Sequence, residues 1–238
     1  MKSRVLRTAA IVITIAAVLS IGTYVLMNSR THQLAGRLVH RVDTARKVVA
    51  LTIDDGPTGR TPEILETLAA QHVPATFYLV GRDLAAHREY GARIAAAGHE
   101  IGNHSYTHRR LVFVTPGTVA AEVERTDTEI ARTGYRGPVT FRPPYGKKLV
   151  ALPRYLSHHD RTTVMWDVES DSTGGADTGT IASKTVNGVR PGSIILLHAM
   201  YQPAALAAIP RIVTELRSRG YDFVTVSQLI TGSNPAGM

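Results

Sequence analysis

From Val48 onward the chain alternates short apolar runs with longer amphipathic stretches, and no other feature restricts its fold as much. The apolar runs predict strands over 48–53, 75–80, 100–103, 140–142, 162–167, 193–198 and 222–225. The stretches between them predict helices over 62–71, 83–97, 118–133, 148–158, 180–189 and 203–219. Pro62, just after Thr61, suits a first helical turn, and Gly98, Gly134 and Gly220 stand where helix C-caps fall. Strands separated by helices call for a parallel α/β architecture, either an open sheet or a barrel. The residues able to do chemistry favour one of these. Asp54, Asp55, His104, Arg142, the acids from Asp167 to Asp171, and His198 all fall at or just past the C-terminal end of a predicted strand. A barrel gathers such ends at one face, whereas the outer strands of an open sheet lie far apart. The expectation is a deformed, incomplete (β/α) barrel of about seven parallel strands.

The strongest chemical signal is the carboxylate pair Asp54-Asp55, which ends an apolar run and is followed at once by Gly56-Pro57. His104 and His108 come about fifty residues later. They are four apart, so a helical turn would put both imidazoles on one face. One Asp and two His make a three-ligand set with an open position, as in catalytic zinc sites, and leave the other Asp free to act as a base. Asp-Asp-Gly-Pro in isolation reads as a turn, and a lone pair of histidines as surface or core. Their occurrence together, in the order one hydrolase needs, favours chemistry. Arg142, in a loop stiffened by Pro143 and Pro144, is placed to pair with an acid, and that loop can present a backbone N–H. The chain has no cysteine, which excludes disulfides, thiolate ligands and a cysteine nucleophile. Any metal must be held by His, Asp or Glu.

Residues 8–27 carry no charge and are long enough to cross the ~30 Å hydrocarbon core of a bilayer. The basic residues before them keep the N-terminus cytoplasmic. No small-residue cleavage pattern follows the apolar run, which favours an uncleaved signal anchor over a removed signal peptide. The net charge of +8 does not point to nucleic acid. Residues 1–47 hold eight Lys/Arg against one acid, whereas 48–238 hold nineteen against eighteen, so the excess flanks the apolar segment. The expected organisation is a cytoplasmic N-terminus over 1–7, a membrane anchor over 8–27 and a basic stalk over 28–47. An extracytoplasmic catalytic domain over 48–230 and a tail over 231–238 follow.

The motifs together resemble the polysaccharide deacetylase family (carbohydrate esterase family 4, the NodB homology domain). Thr52-Ile53-Asp54-Asp55-Gly56 is similar to its first motif, and His104-Ser105-Tyr106-Thr107-His108 to its second. Arg142-Pro143-Pro144-Tyr145 is similar to the third and Leu196-Leu197-His198 to the fifth. The fourth departs: an acid is present in Trp166-Asp167-Val168-Glu169-Ser170-Asp171-Ser172, but the family's tryptophan is replaced by Ser172 or lost through a one-residue gap. The resemblance implies removal of N-acetyl groups from GlcNAc-type or MurNAc sugars of a cell-wall polysaccharide, peptidoglycan first and chitin oligomers second. It assigns the metal, Zn²⁺ or else Co²⁺ or Ni²⁺, to Asp55, His104 and His108. It makes Asp54 the base, oriented by Arg142, and His198 the acid, oriented by Asp171 in preference to Asp167. The Tyr145 backbone N–H becomes the oxyanion donor, with Leu196, Pro143 and Tyr145 against the substrate. The partners implied are the acetylated polymer and the membrane, with no nucleic acid and no protein partner indicated. The alternatives are an O-acetyl esterase on a polymer such as acetylxylan, and a non-catalytic wall-binding module on the same fold. If the N-terminal segment were cleaved, the domain would be secreted.

Overall fold

The computed structural model describes residues 2–172 and 175–232. Its centre is the strand β2 (Val48–Asp54), buried along its whole length, which is why its sequence is an almost unbroken apolar run. In chain order the elements before it are α1 (Lys2–Asn28) and β1 (Leu38–Val39). After it come α2 (Thr61–Ala70), β3 (Thr76–Leu79), α3 (Gly81–Ala86), α4 (Arg88–Ala96), β4 (Glu100–Asn103), α5 (Pro116–Arg132) and α6 (Ala151–His158). The rest are β5 (Thr163–Val164), β6 (Val168–Glu169), α7 (Thr178–Gly188), β7 (Ile194–Leu197), α8 (Pro203–Ser218), β8 (Asp222–Val224) and α9 (Val226–Thr231).

All named strand pairs are parallel. The main sheet runs β4-β3-β2-β7-β6, and β8 pairs with the first half of β2 while β3 takes the second half. Phe141 bridges Asn103 of β4 to Thr163 of β5, and β6 returns to β7, so residues 163–169 close the sheet into a deformed α/β barrel. Alternation along the strands divides the core in two. Val49, Leu51 and Ile53 face outward with Ile64, Ile209 and Ile212 of the surrounding helices. Val48 and Ala50 face inward with Tyr78, Trp166 and Leu196. The same parity sends Thr52 and Asp54 to the inside, where they form the polar top of the barrel.

Several local expectations are corrected. The basic segment 28–47 is not a free stalk: β1 pairs with β5, Arg41 bridges Ser193, and the Val42 N–H donates to the Gly192 carbonyl at 2.9 Å. A two-residue strand leaves no periodic pattern to read. The strand expected over 140–142 is reduced to the bridges of Phe141, and that over 162–167 to β5, with β6 beginning just beyond it. The helix expected over 83–97 breaks at His87, whose φ of −132° is not helical, and no proline or glycine marks the break. Thr225, expected to end the last strand, instead starts α9 with a capping box, in a stretch for which no helix was expected. Of the expected tail 231–238, residues 233–238 lie outside the described residues, as does Met1 of the N-terminal segment.

Candidate active site

Asp54 ends β2 inside the barrel and Asp55 begins the turn after it, with a left-handed φ of 73°. That reversal sends the two neighbouring carboxylates to different partners, Asp54 to Arg142 and Asp55 to His108. Arg142, with no exposed surface, donates from Nη1 to Asp54 Oδ1 at 2.6 Å and to Thr52 Oγ1 at 2.7 Å. Its Nε and Nη2 are held by the carbonyls of Val164 and Met165, and its guanidinium lies 4.1 Å from the Tyr78 ring centroid. A buried cation with this many partners is a fixed strut. Burial pushes the Asp54 carboxyl above the ordinary carboxylate range, and Arg142, His198 and His108 oppose that rise.

His104 and His108 do not share a helix. The segment after β4 is a loop in which Ser105 and His108 take positive φ, 63° and 57°. Buried Glu122 on α5 holds it, accepting from the Tyr106 N–H at 2.9 Å, the Thr107 N–H at 2.8 Å and the Thr107 hydroxyl at 2.6 Å. Asn103 accepts from the Ser105 N–H at 2.9 Å. These contacts do what the expected helical turn would have done. His108 Nε2 is 3.2 Å from Asp55 Oδ1, and His104 Nε2 is 3.8 Å from it. One donor atom from each of the three residues lies within 4.8 Å of the others. The set suits a divalent metal. The His104 Nδ1–H donates to the Arg142 carbonyl at 2.7 Å, which fixes the tautomer and leaves Nε2 free to ligate. Burial lowers the His104 pKa to about 3, so the ring is neutral, as a ligand must be.

Across the cavity, His198 follows β7 and its Nδ1–H donates to Asp171 Oδ1 at 3.2 Å, while its backbone N–H donates to Asp171 Oδ2 at 2.5 Å. Burial alone would lower the His198 pKa, but the Asp171 hydrogen bond and the charges of Asp54, Asp171 and Asp55 outweigh it and raise it to about 9. Asp167 is elsewhere: it accepts from Ser193 Oγ and the Ile194 N–H, both at 2.9 Å, and so ties β7 to the closing segment. Tyr145 has a φ of 58°, its ring lies 4.8 Å from that of His108, and its backbone N–H donates to no other described residue. Asp54, Asp55, His104, His108, Pro143, Tyr145, Leu196 and His198 all line one cavity of about 460 Å³.

Six further residues line that cavity, Gly146 and Trp166 among them. Ser172 stands in its wall. Glu169 accepts from Trp166 Nε1 at 2.8 Å and also binds the Ser172 hydroxyl. Asn28 and Arg30, from the exit of α1, complete the wall. Arg30 pairs with Glu169 at 2.5 Å and lies over the Trp166 ring at 4.7 Å. Nothing in the sequence around Arg30 marks it; Trp166, the chain's single tryptophan, was the available signal.

A deformed α/β barrel with these groups gathered at the C-terminal strand ends defines a barrel hydrolase. The chain belongs to the polysaccharide deacetylase family, whose model matches residues 41–164. It is 32% identical over 189 residues to a peptidoglycan-N-acetylglucosamine deacetylase of Bacillus cereus, covering 78% of this chain and 69% of the relative. It is 35% identical over 190 residues to the peptidoglycan-N-acetylmuramic acid deacetylase PdaC of Bacillus subtilis, covering 79% of this chain but 40% of the relative. A solved peptidoglycan N-acetylglucosamine deacetylase superposes with a TM-score of 0.77 at 30% identity, covering 81% and 92% of the two chains. A family pseudoenzyme from Bacillus anthracis superposes with a TM-score of 0.76 at 26% identity, covering 83% and 70%.

Proposed function

We propose that this protein is a metal-dependent N-deacetylase of cell-wall polysaccharide, with peptidoglycan as its first substrate. The observation that carries the reading is the meeting of three metal donors, Asp55, His104 and His108, with the Arg142–Asp54 and His198–Asp171 pairs in one cavity. Relatives acting on peptidoglycan support the polymer assignment. A divalent cation held by that set, zinc first, would polarise the amide carbonyl and acidify the attacking water. Asp54 takes the proton of that water, and its raised pKa makes it the stronger base. Arg142 holds the carboxylate in line. The Tyr145 N–H meets the developing oxyanion. His198, kept protonated and aimed by Asp171, gives its proton to the departing amine. Leu196 and Pro143 bound the acetyl side of the cavity.

A non-catalytic role has two arguments, the altered fourth motif at Ser172 and the structural likeness to a pseudoenzyme. The full complement of base, acid and ligands supports catalysis. We further assign α1 to the membrane: Leu6–Asn28 has a mean hydropathy of 2.3. At 1.5 Å per residue it spans roughly 34 Å. The domain would then act outside the cytoplasm, tethered beside the wall.

Acetate release by the full chain tests the function on peptidoglycan, chitopentaose and acetylxylan, with chelation and zinc add-back. Release from peptidoglycan that chelation abolishes and zinc restores is the expected result. Release from acetylxylan alone would instead make it an O-acetyl esterase. Asp54→Asn should lower kcat by roughly 10²–10⁴-fold while zinc still binds. His104→Ala should lose both, and a variant that kept both would displace the metal site.

A further inference from the structure

We propose that the loop over 109–116, with the neighbouring segment 147–150, is a lipid-seating surface that enters the outer leaflet beside α1 and fixes the orientation of the catalytic domain on the membrane. The inference rests on reading α1 as membrane-spanning. Phe113 is 79% exposed and has a φ of 52°. A large aromatic left bare on a left-handed residue is unfavourable in water and needs a reason. Its neighbours supply one: Phe113 lines a crevice with Leu19, Ser20, Thr23, Tyr24 and Met27 of α1. Leu19 precedes the polar exit at Asn28 by nine residues, which is roughly 13 Å along a helix axis. That is nearly half of the ~30 Å hydrocarbon core. If α1 spans the bilayer, a side chain level with Leu19 to Met27 lies within the outer leaflet.

Phe113 is also the edge of a second feature, an apolar groove of about 540 Å³ bounded by Leu111, Val114, Leu149 and Val150. No carboxylate is among its described lining residues, and Arg154, His158 and His159 stand on its walls. Arg109 and Arg110, both exposed, flank the loop. Acyl-chain contact at the centre with cations around it is the pattern that fits an anionic phospholipid surface. The face is tied to the end of the helix. Leu111 bridges Lys148, and the Lys148 N–H donates to the Met27 carbonyl at 3.3 Å. The Lys148 ammonium, on a side chain that is 1% exposed, caps the Ser29 carbonyl, and Lys147 reaches Asn28. The domain is therefore held by the end of α1, with its catalytic cavity, walled by Asn28 and Arg30, at the membrane surface.

The absence of native cysteine makes the test clean. The full chain carrying Phe113→Cys, labelled with an environment-sensitive nitrobenzoxadiazole, is reconstituted into phosphatidylcholine–phosphatidylglycerol vesicles containing nitroxide-labelled lipid. Leu19→Cys and Glu66→Cys are labelled in parallel; Glu66 is exposed on α2, which packs on α4 and α8. Lipid nitroxide should quench the labels at 113 and 19, and only aqueous quencher should reach the label at 66. Val150→Cys, at another edge of the groove, gives the same readout should the first variant not fold. Quenching at 19 with a water-exposed label at 113 and 150 overturns the lipid surface while leaving the spanning helix intact. A water-exposed label at 19 overturns the membrane reading itself and the proposal with it. Burial at 113 that follows protein density and ignores lipid nitroxide assigns the face to a second copy of the chain, and also overturns it.

Discussion

Asp54 and His198 face one cavity, and the roles proposed for them have opposite needs, since a base must arrive without its proton and an acid must keep one. The barrel meets both through neighbours. His198 is raised to about 9 by a carboxylate on its Nδ1 and by two more across the cavity, so it holds its proton through neutral pH and loses it as pH rises past that value. The alkaline limb of kcat/KM should therefore belong to His198. Asp171→Asn removes one charge and weakens the hydrogen bond, and should move that limb to lower pH by roughly 1–3 units with a fall in kcat. A pH–rate profile decides it; a limb that stays in place belongs to another group. Glu122 works at one remove, through the loop that carries His104 and His108. Glu122→Ala frees two backbone N–H groups and should weaken zinc binding roughly 10–100-fold in a competition titration. Glu122→Gln keeps one acceptor oxygen and should fall between the two.

Among the elements, what was legible is what has a period or a punctuation mark. β2, β7 and the long α8 announce themselves through apolar runs or an amphipathic stripe, and the observed bounds differ from the expected ones by a residue or two. Of the candidate site, Asp54, Asp55, His104, Arg142 and His198 stood out because each ends or follows an expected strand. β1 was not, because two residues carry no period and the charge around them reads as a solvated stalk. Nor was the 104–108 loop: spacing of four suggests a helix, and only tertiary contacts from Glu122 and Asn103 put the imidazoles together without one. Gly192 shows how tightly β1's segment is fitted. Its φ is 80°, and a Cβ there would stand 1.8 Å from the Val42 carbonyl oxygen. Gly192→Ala should cost at least about 1–2 kcal/mol from the left-handed backbone alone. The clash adds to this and should loosen residues 38–42 first. Amide exchange would locate the loss; unchanged protection there would mean that the segment is held by other contacts.

At the scale of the molecule, the three candidate metal donors come from two parts of the chain, the end of β2 and the loop after β4, and a third part is tied to them through the Arg142 carbonyl on His104. A bound cation would join these segments across the mouth of the barrel, so ligation is also a cross-link of the fold. Binding confined to the folded state stabilises by about 2.7 kcal/mol at a hundredfold excess over Kd. For a domain of this size each kcal/mol moves Tm by about 2–4 °C, so zinc should raise it by roughly 5–10 °C. His104 adds a sign to the pH dependence. Burial lowers its pKa to about 3, so at neutral pH it offers an unprotonated nitrogen without a deprotonation step. Calorimetry with and without chelator gives the shift directly. His104→Ala should melt at one temperature in both conditions, since the remaining two ligands no longer close the link. A zinc-dependent Tm that survives His104→Ala would place the stabilising cation elsewhere in the protein and detach the metal from the barrel mouth.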